Sequence, residues 1–302
     1  MGILTNKIDF IGFITVQRAN PNGDPINGNQ PRTNYDNYGE ISDVCIKRKV
    51  RNRLQDMKEK IVVMSDERND DGYDSIRSRV EGNPTMEKIL KMKEKEANRT
   101  RLFADEACKI WIDVRAFGQV FALKKGTNVD AVSVGVRGPV SIHTAVSLDP
   151  VLTTSMQITK SVNGEPGDKK GSDTMGMKHR VEFGLYKLVG SINVQLAEKT
   201  GFSEADAEKI KKALVTLFEN DASSARPEGS IEMSRFYWIQ HDNKTGRLSS
   251  AKVHRSMYTE KKDNVELPRK FEDYIINDEF LRKTDGITIE MYEDGMLKND
   301  GL

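Results

Sequence analysis

Five cations stand within seven positions in the run CIKRKVRNRL: Lys47, Arg48, Lys49, Arg51 and Arg53. No carboxylate lies between Asp43 and Asp56 to relieve their mutual repulsion. At about 100° per residue, Lys47, Arg48 and Arg51 share one flank of a helix, and Lys49 and Arg53 the other. Ammonium and guanidinium groups clustered in this way hold phosphate by charge, without reading base sequence. The cluster also stands towards the helix start, where the macrodipole disfavours cations and a bound anion would relieve them. A solvated helix face is the alternative reading.

The residues ahead of the helix are the second source of chemistry. Asn20, Asn22, Asn27, Asn29, Gln30 and Asn34 carry amides that donate and accept, suited to sugars, bases and phosphate oxygens. A loop of this length without regular structure is uncommon in a compact domain unless it is functional or disordered. The question is whether it is slack or one wall of a site whose other wall is the basic helix.

Other chemistries find no support. There is no GxxxxGK[ST] phosphate loop, and GVRG (135–138) is a lone glycine pair. His143, His179, His241 and His254 are isolated, no GxSxG is present, and neither Cys45 nor Cys108 belongs to a CxxC. No catalytic residue, metal or cofactor is therefore expected. With 47 basic and 46 acidic residues, net charge gives no argument for nucleic acid, so an anion-binding surface must come from local segregation. The unpaired cysteines and the lack of an apolar run of membrane-spanning length suggest a cytoplasmic protein with no membrane partner.

The elements that must position these groups follow from periodicity. KIDFIGFITVQR (7–18) alternates as a first strand, with Phe10, Gly12, Ile14 and Val16 on one face. From Val44 to about Lys60, Ile46, Val50, Leu54 and Met57 form the apolar stripe of an amphipathic helix, capped by Ser42 or Asp43. Residues 64–109 are highly charged and read as a mainly helical insertion. IWIDVRAFGQVFAL (110–123) reads as a strand pair or a strand and bend. Residues 131–162 are strand-rich, with a break at Gly135 to Pro139. NGEPGDKKGSDTMGMKH (163–179) has the composition of an exposed tip, so its flanks make a long hairpin. Ser203 and Asp206 form a capping box for a helix that turns Ala207, Ile210, Leu214 and Leu217 inward. SIEMSRFYWIQHD is another strand, and the last fifty residues add a short helix and a strand. This order suggests one α+β domain with an antiparallel sheet and large inserts.

Five separated motifs then fall in a familiar order: RANPNGDP (18–25), GEISDVCIKRKVRNRL (39–54), AFGQVF (116–121), VRGPVSIHTAVSLDPV (136–151) and MGMKHRVEFGLY (175–186). Together they resemble the backbone subunit of type I-C CRISPR Cascade complexes, over nearly the whole chain. The strand–loop–helix opening is shared more loosely with the wider RAMP group of CRISPR RNA-binding proteins. The resemblance implies an RRM-like (ferredoxin-like) palm spanning 1–302, with helical fingers inserted at 61–109 and a β-hairpin thumb at 145–183. It implies a non-catalytic subunit that polymerises along a CRISPR guide RNA, kinks it at regular intervals and presents it to a target DNA strand in antiviral defence. Its partners would be other copies of itself and the remaining Cascade subunits: the guide 5′-end cap, the large subunit and the small subunit.

Carried over by position, Ser42, Lys47, Arg48 and Arg51 match the helix start that holds the guide backbone, and Arg18 stands at the end of the first strand. Asn20 belongs to the loop. Gln119 and Val120 lie in the Phe-Gly bend, from which Val120 would pack against bases at the kink. Arg137, Lys178 and His179 are the basic residues of two further motifs. Reversing the charge of Lys47, Arg48 and Arg51 is then expected to abolish RNA binding with the fold intact. The rival reading is a metal-dependent ribonuclease using a loop aspartate, Asp24, as in related type III backbone subunits; a protein-binding domain without nucleic acid is the second.

Overall fold

The computed structural model describes residues 2–93, 98–125, 131–159 and 175–298. Strand β1 (Ile8–Ala19) runs through the middle of the molecule, apolar on both faces. Phe10, Ile14 and Val16 enter the main core, as the alternation predicts, while Ile11 and Phe13 enter a second core on the other side. A strand buried on both faces needs neighbours at both edges and a layer over each face.

A polar loop follows, with the two-residue strands β2 (Gly23–Asp24) and β3 (Gln30–Pro31), then β4 (Tyr38–Ile41) and α1 (Asp43–Asp56). The helix stops earlier than its stripe suggests, because Lys58 takes a left-handed backbone at φ 65° just past the cap residue Met57. The described residues of 64–109 are helical from Ile76 onwards, in α2 (Ile76–Glu81), α3 (Pro84–Leu90) and α4 (Arg99–Ile110).

The stretch 110–123 departs from the sequence reading. Its first half is a helix, α5 (Ile112–Phe117), and only the second half is a strand, β5 (Gly118–Leu123). Ile112 and Ala116, four apart, face the main core, whereas Val114 faces a separate core inside the insertion. Burial on two sides selects the helix over the strand that an I-x-I-x-V alternation fits equally well. The next break also shifts, since Gly135 pairs with Val120 inside β6 (Val132–Arg137) and the chain turns at Gly138–Pro139.

After β7 (Val140–Ile142), β8 (Ala145–Pro150) and β9 (Thr153–Thr159) comes β10 (Met175–Ile192), the longest strand. Its first part pairs with β9 from Met175↔Thr159 to Val181↔Thr153, and its later part pairs with β1 from Ala19↔Val181 to Ile8↔Ile192. One continuous strand therefore carries both the sheet and the projecting hairpin. The part of the expected tip at 163–174 lies outside the described residues.

Helices α6 (Val194–Thr200) and α7 (Glu204–Val215) come next, α7 with the capping box of Ser203 and Asp206 that the sequence predicts. Strand β11 (Ile231–His241) returns along β1. The C-terminal part is richer than one helix and one strand: α8 (Ser250–Ser256), a hairpin of β12 (Tyr258–Lys261) and β13 (Tyr274–Asn277), α9 (Glu279–Arg282), β14 (Ile287–Glu293) and β15 (Met296–Lys298).

The result is a mixed α/β protein with a large antiparallel sheet, in the order β15-β14-β11-β1-β10-β8-β4, with β7 and β9 also on β10. Helices α1, α5, α6 and α7 cover one face. On the other face, Val253, Met257, Tyr274 and Leu281 bury Ile11, Phe13, Leu185 and Tyr237. Those aromatic side chains are thus closed to any ligand. Helices α2 to α4 share a separate core with the 111–121 stretch and β6, built around Val80, Met86, Phe103, Trp111 and Phe121.

Candidate nucleic-acid interface

The polar loop is fastened down. Asn22 Oδ1 accepts from both the backbone N–H and the hydroxyl of Ser42, at 2.9 and 2.8 Å, so the loop is tied to the residue that caps α1. Ser42 Oγ in turn accepts from the Cys45 N–H at 3.3 Å. Asn20 is 3% exposed and donates through Nδ2 to the Asn29 carbonyl at 2.8 Å. Asn34 Oδ1 accepts from the N–H groups of Asp36 and Tyr38, both at 3.0 Å. The bonds these amides make hold the loop in shape, and Asn20 Oδ1 stays buried without a partner among the described residues. Asn20 in particular acts through the loop it holds. Ser42→Ala should remove a capping acceptor and lower stability by about 1 kcal/mol, read as a lower urea midpoint.

Asp24 is also committed locally. Its carboxylate accepts from Ile26 N–H at 3.3 Å, capping the short turn that follows, and lies 3.4 Å from Arg32 Nη2.

The basic helix is not unrelieved, as its own sequence suggests; the relief comes from elsewhere in the chain. Lys49 is buried against Asp221, and Arg53 meets Asp56 at 2.8 Å and Glu219 at 3.1 Å. Arg51 donates through Nε to Asp113 Oδ2 at 2.9 Å and lies over the Phe117 ring, 5.2 Å from its centre. Asp113 is fully buried and also accepts from the backbone N–H groups of Val62 and Val63, at 2.9 and 3.2 Å. Arg51 is therefore tied into the fold through Asp113, so reversing its charge should also cost stability. Nothing local in the sequence marks Asp113 as its partner, 62 residues away.

Two cations of the cluster keep a different character. Among the described residues Lys47 pairs only with Asp43, one turn back at 3.0 Å, and that pair is part-buried. Arg48 donates through Nη1 to the Val63 carbonyl at 2.8 Å and has no carboxylate partner among the described residues. Burial, and then the neighbouring Arg51, hold its guanidinium below the usual value. Such a cation gains from an incoming anion.

The Phe117 that stacks on Arg51 leads into the bend. Gly118 has φ 79°, and a Cβ there would stand 2.3 Å from the Val136 carbonyl oxygen, so glycine alone permits the turn. Beyond it Val120 is 69% exposed, and Gln119 Nε2 donates to the Val120 carbonyl at 3.0 Å. Arg137 pairs across from Gly118, exposed and without a partner among the described residues. Lys178, likewise unpartnered, and His179, whose Nδ1 lies 2.7 Å from Ser155 Oγ, are on the β10 arm of the hairpin. Being consecutive on a strand, they point to opposite faces. Arg18 ends β1 with φ 51° and a side chain 71% exposed, beside Glu182 at the hairpin root.

Contact by contact, the structure joins the loop to the start of α1, and α1 to the bend and Arg137. Arg18 links the end of β1 to the hairpin root. Lys178 and His179 stand further out on the hairpin. Among the described residues no helix is long and apolar enough to cross a membrane.

Residues 6–279 match the family model described as CRISPR-associated protein Cas7. A CRISPR-associated protein Cas7 of Haloferax volcanii is 26% identical over 243 residues, which make up 72% of this chain and 66% of that protein. The match thus spans just under two thirds of that relative's length. A chain of a CRISPR RNA-guided surveillance complex, pre-nicking, superposes with a TM-score of 0.48 at 15% identity, covering 82% of this chain and 81% of that one. A chain of a second CRISPR RNA-guided surveillance complex gives 0.45 at 17% identity, over 86% and 78%.

Proposed function

The chain belongs to the CRISPR-associated protein Cas7 family, and from that premise we propose that it is a non-catalytic, guide-RNA-binding backbone subunit of a type I-C Cascade surveillance complex. Copies of it polymerise along one guide RNA in the cytoplasm, kink it at intervals and present the segments between for pairing with target DNA. The cap, large and small subunits complete the assembly.

One observation carries the reading. The inward cations Lys49 and Arg51 are matched by distant carboxylates, while Lys47 keeps only Asp43 among the described residues, in the turn beside the Ser42 that Asn22 ties to the loop, and Arg48 keeps only a carbonyl, that of Val63. Ionic contacts of that kind hold any guide equally well, because phosphate carries no sequence. Arg18, Arg137, Lys178 and His179 extend the surface, Gln119 stands in the bend, and exposed Val120 is the apolar side chain that packs beside the kink.

The sheet order β11-β1-β10-β7/β8 with α1 and α7 on one face supports an RRM-like palm. The helices within 61–109 are its fingers, and the hairpin within 145–183 its thumb. The ribonuclease reading is not favoured, since the Asp24 carboxylate serves a turn and Arg32.

The test is native mass spectrometry of the purified protein before and after ribonuclease treatment, with any retained RNA sequenced. Several copies on one protected strand, with affinity falling steeply as salt rises, are expected. An RNA-free monomer that ignores guide RNA at low salt would sink the reading. Magnesium-dependent RNA cleavage that Asp24→Ala abolishes would overturn its non-catalytic part.

A further inference from the structure

The root of the β9–β10 hairpin holds two arginines around one carboxylate. Glu182 Oε1 accepts from Arg180 Nε at 2.9 Å and from Thr154 Oγ1 at 2.7 Å, and Oε2 lies 3.7 Å from Arg18 Nε. Arg180 Nε also leans on Thr154 Oγ1 at 3.3 Å. Arg180 bonds through Nε and Arg18 only faces Glu182 through Nε, and the Nη1 and Nη2 groups of each have no bond to a described residue. One carboxylate between two guanidiniums leaves a positive charge over.

The backbone adds an independent sign. Arg18 sits at φ 51°, a left-handed conformation that a non-glycine residue keeps only where its surroundings over-determine it. Here the pairs Gln17↔Phe183 and Ala19↔Val181 clamp it from both sides. Thr154 and then Arg180 also hold the Glu182 carboxyl below its usual range, so the anchor stays ionised.

We propose that Arg180 is a further phosphate-binding residue, paired with Arg18 to bracket one phosphodiester of a single-stranded RNA, with Glu182 as the positioning residue that bonds Arg180 Nε and faces Arg18 across a looser ion pair. A guanidinium anchored in this way presents its outer N–H pair as a fork matching two phosphate oxygens. The inference rests on the RNA-binding reading above.

The test is fluorescence anisotropy with a single-stranded RNA oligonucleotide over a salt series. Arg180→Ala is expected to weaken binding about tenfold and to lower the salt slope by about 0.7, the share of one phosphate on a single strand. Arg180 also neutralises Glu182, so the Arg180→Ala/Glu182→Ala double variant is decisive. It keeps the loss and the reduced slope if Arg180 touches phosphate. If it returns to wild-type affinity and slope, Arg180 merely balances Glu182 and the inference is overturned. Arg180→Lys, which keeps the charge, should retain the slope and lose affinity several-fold; full retention of both counts against a bidentate contact. A wild-type chain that binds no RNA sinks the RNA reading itself, whereas one that binds while the double variant matches it sinks only this inference.

Discussion

Replacing Asp113 by alanine is expected to destabilise the fold by about 3–5 kcal/mol, the range for breaking a buried ion pair from one side. The side chain is fully buried and receives three donors: Arg51 Nε and the backbone N–H groups of Val62 and Val63. Its loss strands a mostly buried guanidinium and leaves two N–H groups without an acceptor. Against a typical stability of about 5–15 kcal/mol, that is a large fraction. Arg51→Ala should be milder, since Asp113 still accepts from two backbone groups. The Arg51→Ala/Asp113→Ala double variant should fall little further than Asp113→Ala alone, because the two share one interaction. Urea unfolding followed by tryptophan fluorescence reads all three. Equal midpoints for wild type and Asp113→Ala would show that this junction does not hold the insertion to the core.

The Lys47→Glu/Arg48→Gln variant is expected to lose guide-RNA affinity on the order of 100-fold, with a salt slope lower by about 1.4, as two phosphate contacts on a single strand disappear. Stability should fall by only about 1 kcal/mol, the worth of one ordinary hydrogen bond and a weak one-turn ion pair. Among the described residues Lys47 makes only a part-buried one-turn pair with Asp43, and Arg48 gives up a single bond, to the Val63 carbonyl. Arg51→Gln should behave in the opposite way, with a lowered urea midpoint. Anisotropy and urea melts on the same preparations separate the two. Unchanged affinity in the Lys47/Arg48 variant would turn the helix back into a solvated face.

Much of the site's framework was legible in the sequence because it is local. The Ser42 cap, the stripe of Ile46, Val50 and Leu54, and the capping box of Ser203 and Asp206 depend on residues three or four positions apart, and each forms as read. The pairing of β9 with β10 was likewise implied by two strand-like runs around a polar tip. What failed depended on distance. The stretch 110–117 fits strand alternation, yet it becomes a helix because two cores claim its opposite sides.

By itself the sequence determined where α1 begins, which face it buries, and that five cations crowd it. Those properties follow from dihedral preferences and periodicity, which are settled within a turn or two. Only the tertiary structure decided which of those cations meet a distant carboxylate. Asp113 and Asp221 arrive from far along the chain to neutralise Arg51 and Lys49, while Arg48 receives a carbonyl and Lys47 only Asp43. The physical reason is that desolvating a charge is costly, so the cations turned inward must find carboxylates wherever the fold can bring them, and those left at the surface need not.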